Sequence, residues 1–261
     1  MVTRRWKPDG WDARTRIGIV VPHADVGPEA ELRAIAPPTV SVHGARLYFS
    51  AMRAGGVMDP TIPHRPVESF TEPPYLDETV ESLAASPLDV IALGFTSSAY
   101  KHGADGERAL LDRLSEPARG IPVVTTCLAA ERALRTLGAE TLALVNPPWF
   151  DSALDELGAR YFRDVGFDVV HHGPAGLRSG QEFITPESLY DWIAKVGTGA
   201  DAVFVAGNGQ RAVGVIDALE RDLGIFVLTA NQVLAWDALA TAGEREPVVG
   251  YGALFGKALP I

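Results

Sequence analysis

The sequence predicts an α/β protein of two pseudo-symmetric α/β domains, each with a central, mostly parallel sheet flanked by helices and with a ligand cleft between them. Three observations carry this reading. Short apolar runs have the β-branched form of strands buried on both faces, and amphipathic stretches of helical length separate them. Three strand-plus-turn segments also recur, in the same order, in the two halves of the chain. With 261 residues, 47% hydrophobic and 21% charged, the chain is long and apolar enough for one large or two small cores.

In chain order, the strand candidates are residues 17–21 (IGIVV), 90–93 (VIAL), 121–124 (IPVV), 142–145 (LALV), 203–206 (VFVA) and 225–228 (IFVL), with weaker runs at 40–42 and 169–170. Helical stretches include 76–84, 129–137, 152–165, 186–196 and 212–222. RIGIVVP at 16–22 returns as TLALVNP at 141–147, LDVIALGFTS at 88–97 as ADAVFVAGNG at 200–209, and IPVVT at 121–125 as IFVLT at 225–229. One such pair is unremarkable among buried Val/Ile strands, but three in order point to two copies of one unit. The expected division is 1–120 plus 236–261 for a first domain with an N-terminal extension, and 121–235 for a second.

Composition excludes several function classes. A formal net charge of −10 opposes binding to nucleic acid and to anionic membranes. No apolar run approaches the ~18 residues of a membrane-spanning helix, and the first fifteen residues lack the apolar stretch of a secretory signal. The single cysteine, Cys127, rules out an internal disulfide framework and a cysteine-rich zinc site, and no His/Asp/Glu set has ligand spacing. The expectation is a cytoplasmic protein with a small-molecule partner and no metal.

In open parallel sheets ligands bind beyond the carboxyl ends of the strands, so the candidate residues follow each run. Phe95-Thr96-Ser97 lies where a strand passes into a helix, and backbone N–H groups with hydroxyls there suit a carboxylate; Thr96 or Ser97 would equally cap the helix. Gly207-Asn208-Gly209 is the equivalent loop of the second copy, where glycines let backbone approach a ligand. It lacks the third glycine of a dinucleotide fingerprint, and no phosphate-binding Walker loop is present. Asp25 and His23, after the first strand, are placed for proton transfer, although Asp25 would also serve to satisfy loop amides. Cys127 opens a helix, where a thiol gains acidity, yet a free cysteine is most often a small buried hydrophobe. Thr126, Asn146 and Trp149 stand in the remaining strand-end loops. His64, His102, His171 and His172 fall in polar segments and are expected to face solvent. The stretch from Trp6 to Trp11 and the proline-rich residues 60–74 are expected to cover a neighbouring molecule or a cleft.

At these loops the chain resembles the aspartate/glutamate racemase superfamily, in the branch of maleate cis-trans isomerase, arylmalonate decarboxylase and ectoine-utilisation proteins. The likeness runs from about Arg16 to Phe255, through residues 18–25, Ala36-Pro37-Pro38, Ser41-Val42-His43, 88–100, 121–138, Trp236-Asp237-Ala238 and Gly250-Tyr251-Gly252. It implies two facing α/β domains, an active site between them, no cofactor and commonly an oligomer. Members use a cysteine in each half or in one; the matching positions here are Phe95 and Gly207, so both thiols are absent. The isomerase asparagine corresponds to Asp25, and an aromatic position of the decarboxylase to Trp149. Racemisation needs two bases and isomerisation needs an adding thiolate. Decarboxylation of a malonate-like acid needs less: donors for the retained carboxylate, an apolar site for the departing one, and one acid to protonate the enediolate. The expected donors are Thr96, Ser97, Thr126 and amides near Gly207, the apolar side Phe95, Trp149 and Leu93, and the acid Asp25, His23 or Tyr48. The leading expectation is thus a cofactor-independent, decarboxylase-like lyase. Its rivals are a dicarboxylate isomerase, a hydrolase or hydratase using Asp25 or His23, and a non-catalytic carboxylate-binding protein.

Overall fold

The structure, a computed structural model, describes residues 9–197 and 199–257; Trp6 lies outside the described residues. The first half runs β1 (Thr15–Pro22), α1 (Gly27–Ile35), β2 (Val40–Leu47), the short ribbon β3 (Met52–Arg53) and β4 (Val57–Met58), α2 (His64–Ser69), α3 (Tyr75–Ala84), β5 (Val90–Leu93), α4 (Ser97–Leu114), β6 (Val123–Thr125) and α5 (Thr126–Leu137). The second runs β7 (Thr141–Asn146), α6 (Ser152–Asp164), β8 (Asp168–Pro174), α7 (Pro186–Val196), β9 (Ala202–Val205), α8 (Ile216–Leu223), β10 (Phe226–Thr229) and α9 (Ala230–Thr241).

The two four-stranded sheets are parallel and have the same topology. In the first, β1 pairs with β2 and β5, and β5 with β6; in the second, β7 pairs with β8 and β9, and β9 with β10. The order β2-β1-β5-β6 therefore maps onto β8-β7-β9-β10, the pairing that the three recurring segments predicted. Every residue of β5 and of β9 is buried, as a strand covered by helices on both faces requires. The expected boundary at 120/121 falls just before β6, whose pairing with β5 puts that strand in the first sheet.

The lobes are tied by helices that follow their last strands. α5 and α9, equivalent in the two copies, pack on each other and are joined by an Arg132–Asp237 ion pair. Residues 230–239 of α9 are all buried, so it shows no polar stripe. A helix with no wet face has no periodicity to read, which is why it is missing from the predicted stretches. α9 also packs on β5, β6 and α1, across from the sheet whose last strand it follows.

Three contacts fasten the 48–64 segment of the first lobe to the second. The Ile62 amide donates to the Trp149 carbonyl (3.0 Å), the Ser179 hydroxyl donates to the Pro60 carbonyl (2.6 Å), and His64 Nε2 lies 3.0 Å from Asp151 Oδ2. Asp151 is also the N-cap of α6, accepting from the Leu154 amide at 2.8 Å. Burial pushes its carboxyl up, but the Leu154 amide and His64 outweigh that and hold it below the usual value. Asp151→Ala is therefore expected to lower stability by about 1 kcal/mol, the usual magnitude of a lost cap, in urea denaturation. Because the folded-state carboxyl is the more acidic one, the difference from wild type is present at neutral pH and fades as pH falls through the lowered value.

Candidate active site

The carboxyl ends of both sheets meet at a small cavity of about 50 Å³. One side is backbone and small polar groups: Gly94, Phe95, Thr96 and Ser97, between β5 and α4, face Gly207, Asn208 and Gly209, after β9. The other side is apolar, formed by Trp149 and Phe150 of the second lobe and by Phe49, Met52, Met58, Ile62 and Phe70 of the first. Pro22 and Asp25, after β1, close the floor. Among the described residues, Asp25 is the one titratable side chain on this wall, and no cationic side chain lines it.

Asp25 is 3% exposed. Its Oδ1 accepts the Gly27 amide at 2.9 Å, and Arg46 donates to its backbone carbonyl. Burial raises the carboxyl above its usual value, with the Gly27 amide, the nearby Gln181 side chain and the Arg46 charge pulling the other way. A carboxyl in this setting holds its proton to a higher pH than one in water.

The polar side is held by a buried hydrogen-bond network that crosses the lobes. The Thr96 hydroxyl donates to Asn208 Oδ1 (2.9 Å) and accepts the Gly207 amide (3.1 Å). Asn208 Nδ2 donates to Thr126 Oγ1 (3.1 Å) and Asn231 Oδ1 (2.9 Å). Asn231 Nδ2 in turn donates to Glu31 Oε2 (2.7 Å), while Glu31 Oε1 accepts the Ala212 and Val213 amides (2.7 and 3.0 Å). Burial raises the Glu31 carboxyl as well. Thr96 thus spends its hydroxyl proton on the other lobe, which corrects the expectation that it grips a ligand. What the loop offers a carboxylate is the amide groups at the start of α4 and the half-buried Ser97 hydroxyl.

The structure brings Asp25, Phe95, Thr96, Ser97, Trp149, Gly207, Asn208 and Gly209 onto the cavity wall and leaves the other expected residues off it. His23 points aside: its Nδ1 accepts the Phe49 amide (3.2 Å), and its ring lies 4.9 Å from that of Tyr48. Tyr48, the other alternative acid, is 70% exposed on the outer surface. Thr126 stands one layer behind, donating to the Leu93 carbonyl at 3.1 Å. Leu93 is fully buried within β5. Asn146 is committed to Tyr100 and Asp155 (3.1 and 2.6 Å).

Cys127 is fully buried, its Sγ 3.9 Å from the Thr96 carbonyl. Burial, helped by the Glu107 charge, drives the thiol well above its usual value, the reverse of the activation expected at a helix start. Three histidines expected in solvent are partly buried instead. His172 Nδ1 lies 2.6 Å from Asp155 Oδ2, His64 meets Asp151, and His171 is half-buried. His102, though largely exposed, is 2.6 Å from the Thr71 hydroxyl. Among the described residues no group of three or more His, Cys, Asp or Glu is placed to hold a metal ion.

Sequence reasoning missed Phe49, Met52, Met58 and Phe150. Its one pointer was the proline-rich stretch read as a cover; Ile62 and Phe70 within it do close this cleft, whereas Trp11, 83% exposed, covers nothing in the chain.

A family model described as arylmalonate decarboxylase matches residues 39–255. The chain belongs to the arylmalonate decarboxylase family. It is similar to the arylmalonate decarboxylase of Bordetella bronchiseptica, with 28% identity over 242 residues that cover 85% of this chain and 94% of the relative. Among solved structures, a maleate isomerase from Pseudomonas putida S16 with maleate superposes with a TM-score of 0.80 at 21% identity, covering 94% of this chain and 98% of the other. A Nocardia farcinica maleate cis-trans isomerase variant, carrying a covalently bound succinylcysteine intermediate, gives 0.80 at 22% identity, with coverages of 92% and 98%. An arylmalonate decarboxylase crystal structure gives 0.73 at 20%, with coverages of 93% and 100%. These likenesses establish the two-domain α/β fold.

Two consequences of the geometry are open to measurement. Asn208→Ala would leave the Thr96 hydroxyl and Asn231 without their partner in a buried site, and is expected to lower stability by about 2–4 kcal/mol in denaturant unfolding. In the native protein at about pH 8, iodoacetamide should leave Cys127 unmodified by mass spectrometry, with alkylation appearing once guanidinium unfolds the chain. Rapid native labelling would contradict the burial described here.

Proposed function

We propose that this chain is a cofactor-independent, decarboxylase-like lyase that acts on a small malonate-like carboxylic acid through an enediolate. The observation that supports it best is the single buried carboxyl, Asp25, facing a cavity that is apolar on one side and lined by amides and small polar groups on the other. The retained carboxylate sits against the α4 N-terminus and the Ser97 hydroxyl. The departing carboxylate lies toward Phe150, Met58 and Trp149, whose largely apolar surface disfavours its charge. The bond from the α-carbon to that carboxylate breaks, CO2 leaves, and the electron pair delocalises into the retained carboxylate. The α4 amides stabilise the negative charge that gathers there. The Asp25 carboxyl then gives its proton to the α-carbon, and solvent reprotonates Asp25.

The rival chemistries need a group, or a charge state, that this wall does not favour. The Nocardia farcinica isomerase holds its intermediate on a cysteine; here Phe95 and Gly207 occupy the positions matched to the family's thiols, and Cys127 is off the wall. Hydrolysis or hydration would need Asp25 ionised, as a base, and burial disfavours its charged form. The proposal extends to action in a reducing compartment such as the cytoplasm, which the free, buried Cys127 fits. It also extends to a homo-oligomer, which sedimentation would test. Among the described residues no helix is long and apolar enough to cross a membrane.

The test is CO2 release from substituted malonates in the presence of a chelator. Asp25→Asn is expected to abolish release while raising the melting temperature at neutral pH. The sign follows from the raised folded-state pKa of Asp25: its ionisation works against folding as pH rises, and the amide removes that penalty. In the wild type, kcat should fall as pH rises through the Asp25 ionisation, since the acid form is the donor. A rate that rises along that limb would assign Asp25 as a base and favour the hydrolase reading. Ligand-dependent thermal stabilisation without turnover would favour a binding protein.

A further inference from the structure

The cavity is small, and Phe95 is one of the aromatic side chains that bound it. Phe95 stands at the mouth of the α4 loop and packs edge-on against Phe70, with ring centroids 4.6 Å apart and planes at 89°. Phe70 packs in the same way against Phe49, at 5.3 Å and 78°. Phe70 and Phe49, the two rings behind Phe95, are 4% and 8% exposed and packed in the core, so neither has open space to retreat into. On the opposite side, a Cβ at Gly207 would collide with the Pro147 ring, so that side is filled by backbone and proline too.

What remains is about 50 Å³. A buried apolar cavity that takes up benzene measures about 150 Å³, and each water needs about 10–15 Å³. That volume is the whole cleft, carboxylate site included, so even malonate needs its walls to give a little, and an aryl ring asks for the largest displacement.

We propose that Phe95, backed by Phe70 and Phe49, is the specificity wall of this site, limiting the substituent on the substrate's α-carbon to hydrogen or a short alkyl group. This rests on the decarboxylase reading above. It sets the chain apart from the aryl-bearing substrate named for its Bordetella bronchiseptica relative. Phe95 acts by shape, contributing an apolar surface and no proton, so its removal changes which acid is accepted more than it changes the chemistry of the bond that breaks.

The experiment compares wild type, Phe95→Ala and Phe95→Leu on malonate, methylmalonate and phenylmalonate, reading CO2 release and the shift in melting temperature with each acid. Wild type should favour methylmalonate over phenylmalonate in kcat/KM by at least about tenfold. Phe95→Ala should move that ratio toward phenylmalonate by a similar factor, and Phe95→Leu by less. Phe95→Leu keeps an apolar branched side chain against Phe70, so it carries the test if the alanine variant does not fold. A wild type that prefers phenylmalonate, or a ratio unmoved in the folded variants, overturns the proposal. If none of the three acids releases CO2 from any variant, the decarboxylase reading falls, and the thermal shifts still decide the wall. Stabilisation of wild type by methylmalonate and not by phenylmalonate, with phenylmalonate stabilising the variants, upholds it. Equal stabilisation of wild type by both acids overturns it.

Discussion

The Asn208 side chain is the point on which the site depends. It accepts the Thr96 proton from the first lobe and donates to Thr126 and Asn231, so one amide fixes the distance between the two strand-end loops that face each other across the cavity. Asn231 extends the link to Glu31, whose carboxylate accepts two backbone amides of the second lobe. Every one of these side chains is buried, where an unpaired polar group costs more than a made hydrogen bond gains. Such a network has one well-satisfied arrangement and many poorly satisfied ones, and it therefore holds the lobes at a defined spacing rather than merely close together.

That rigidity matters because the chemistry rests on a burial that is unfavourable by itself. Asp25 is enclosed by the floor of the cavity and by Gly27 and Gly209, with one short amide contact to its carboxylate. The Gly27 amide, the Gln181 side chain and the Arg46 charge relieve the penalty only in part, so the carboxyl holds its proton to a higher pH than it would in water. In the proposed mechanism that retained proton is the one given to the α-carbon. Cys127 illustrates the opposite outcome. It also stands at a helix start, but with apolar neighbours and the Glu107 carboxyl near it, and the same desolvation renders it inert.

The two positions that the resemblance matches to superfamily thiols, Phe95 and Gly207, are each held by their packing. Phe95 anchors an aromatic ladder through Phe70 to Phe49 that ties the α4 loop to the segment after β2. Gly207, at φ +82, adopts a left-handed conformation against the Pro147 ring, where a side chain would be strained and obstructed. A side chain at Gly207 would therefore require the Pro147 ring to move.

Much of this was legible in the residues themselves. Apolar runs with β-branched residues define buried strands, and their recurrence in order defines two copies of one unit, because sheet pairing depends on a local period that sequence displays directly. From strand ends the loops 95–97 and 207–209 and Asp25 followed. Which strand-end side chains meet in space was decided by the tertiary structure alone. His23 and Asp25 are two residues apart, yet one is turned to the Phe49 amide and the other to the cavity. Thr126 and Asn146 were drawn one layer back by partners far away in the chain. The apolar cover from Phe49 to Phe70 has little regular structure of its own and so carries no periodic signal. Its place over the cleft is fixed by contacts to Trp149, Ser179 and Asp151, all more than eighty residues away in sequence. Local pattern sets the elements; the facing of side chains is a property of long-range packing, which no local pattern records.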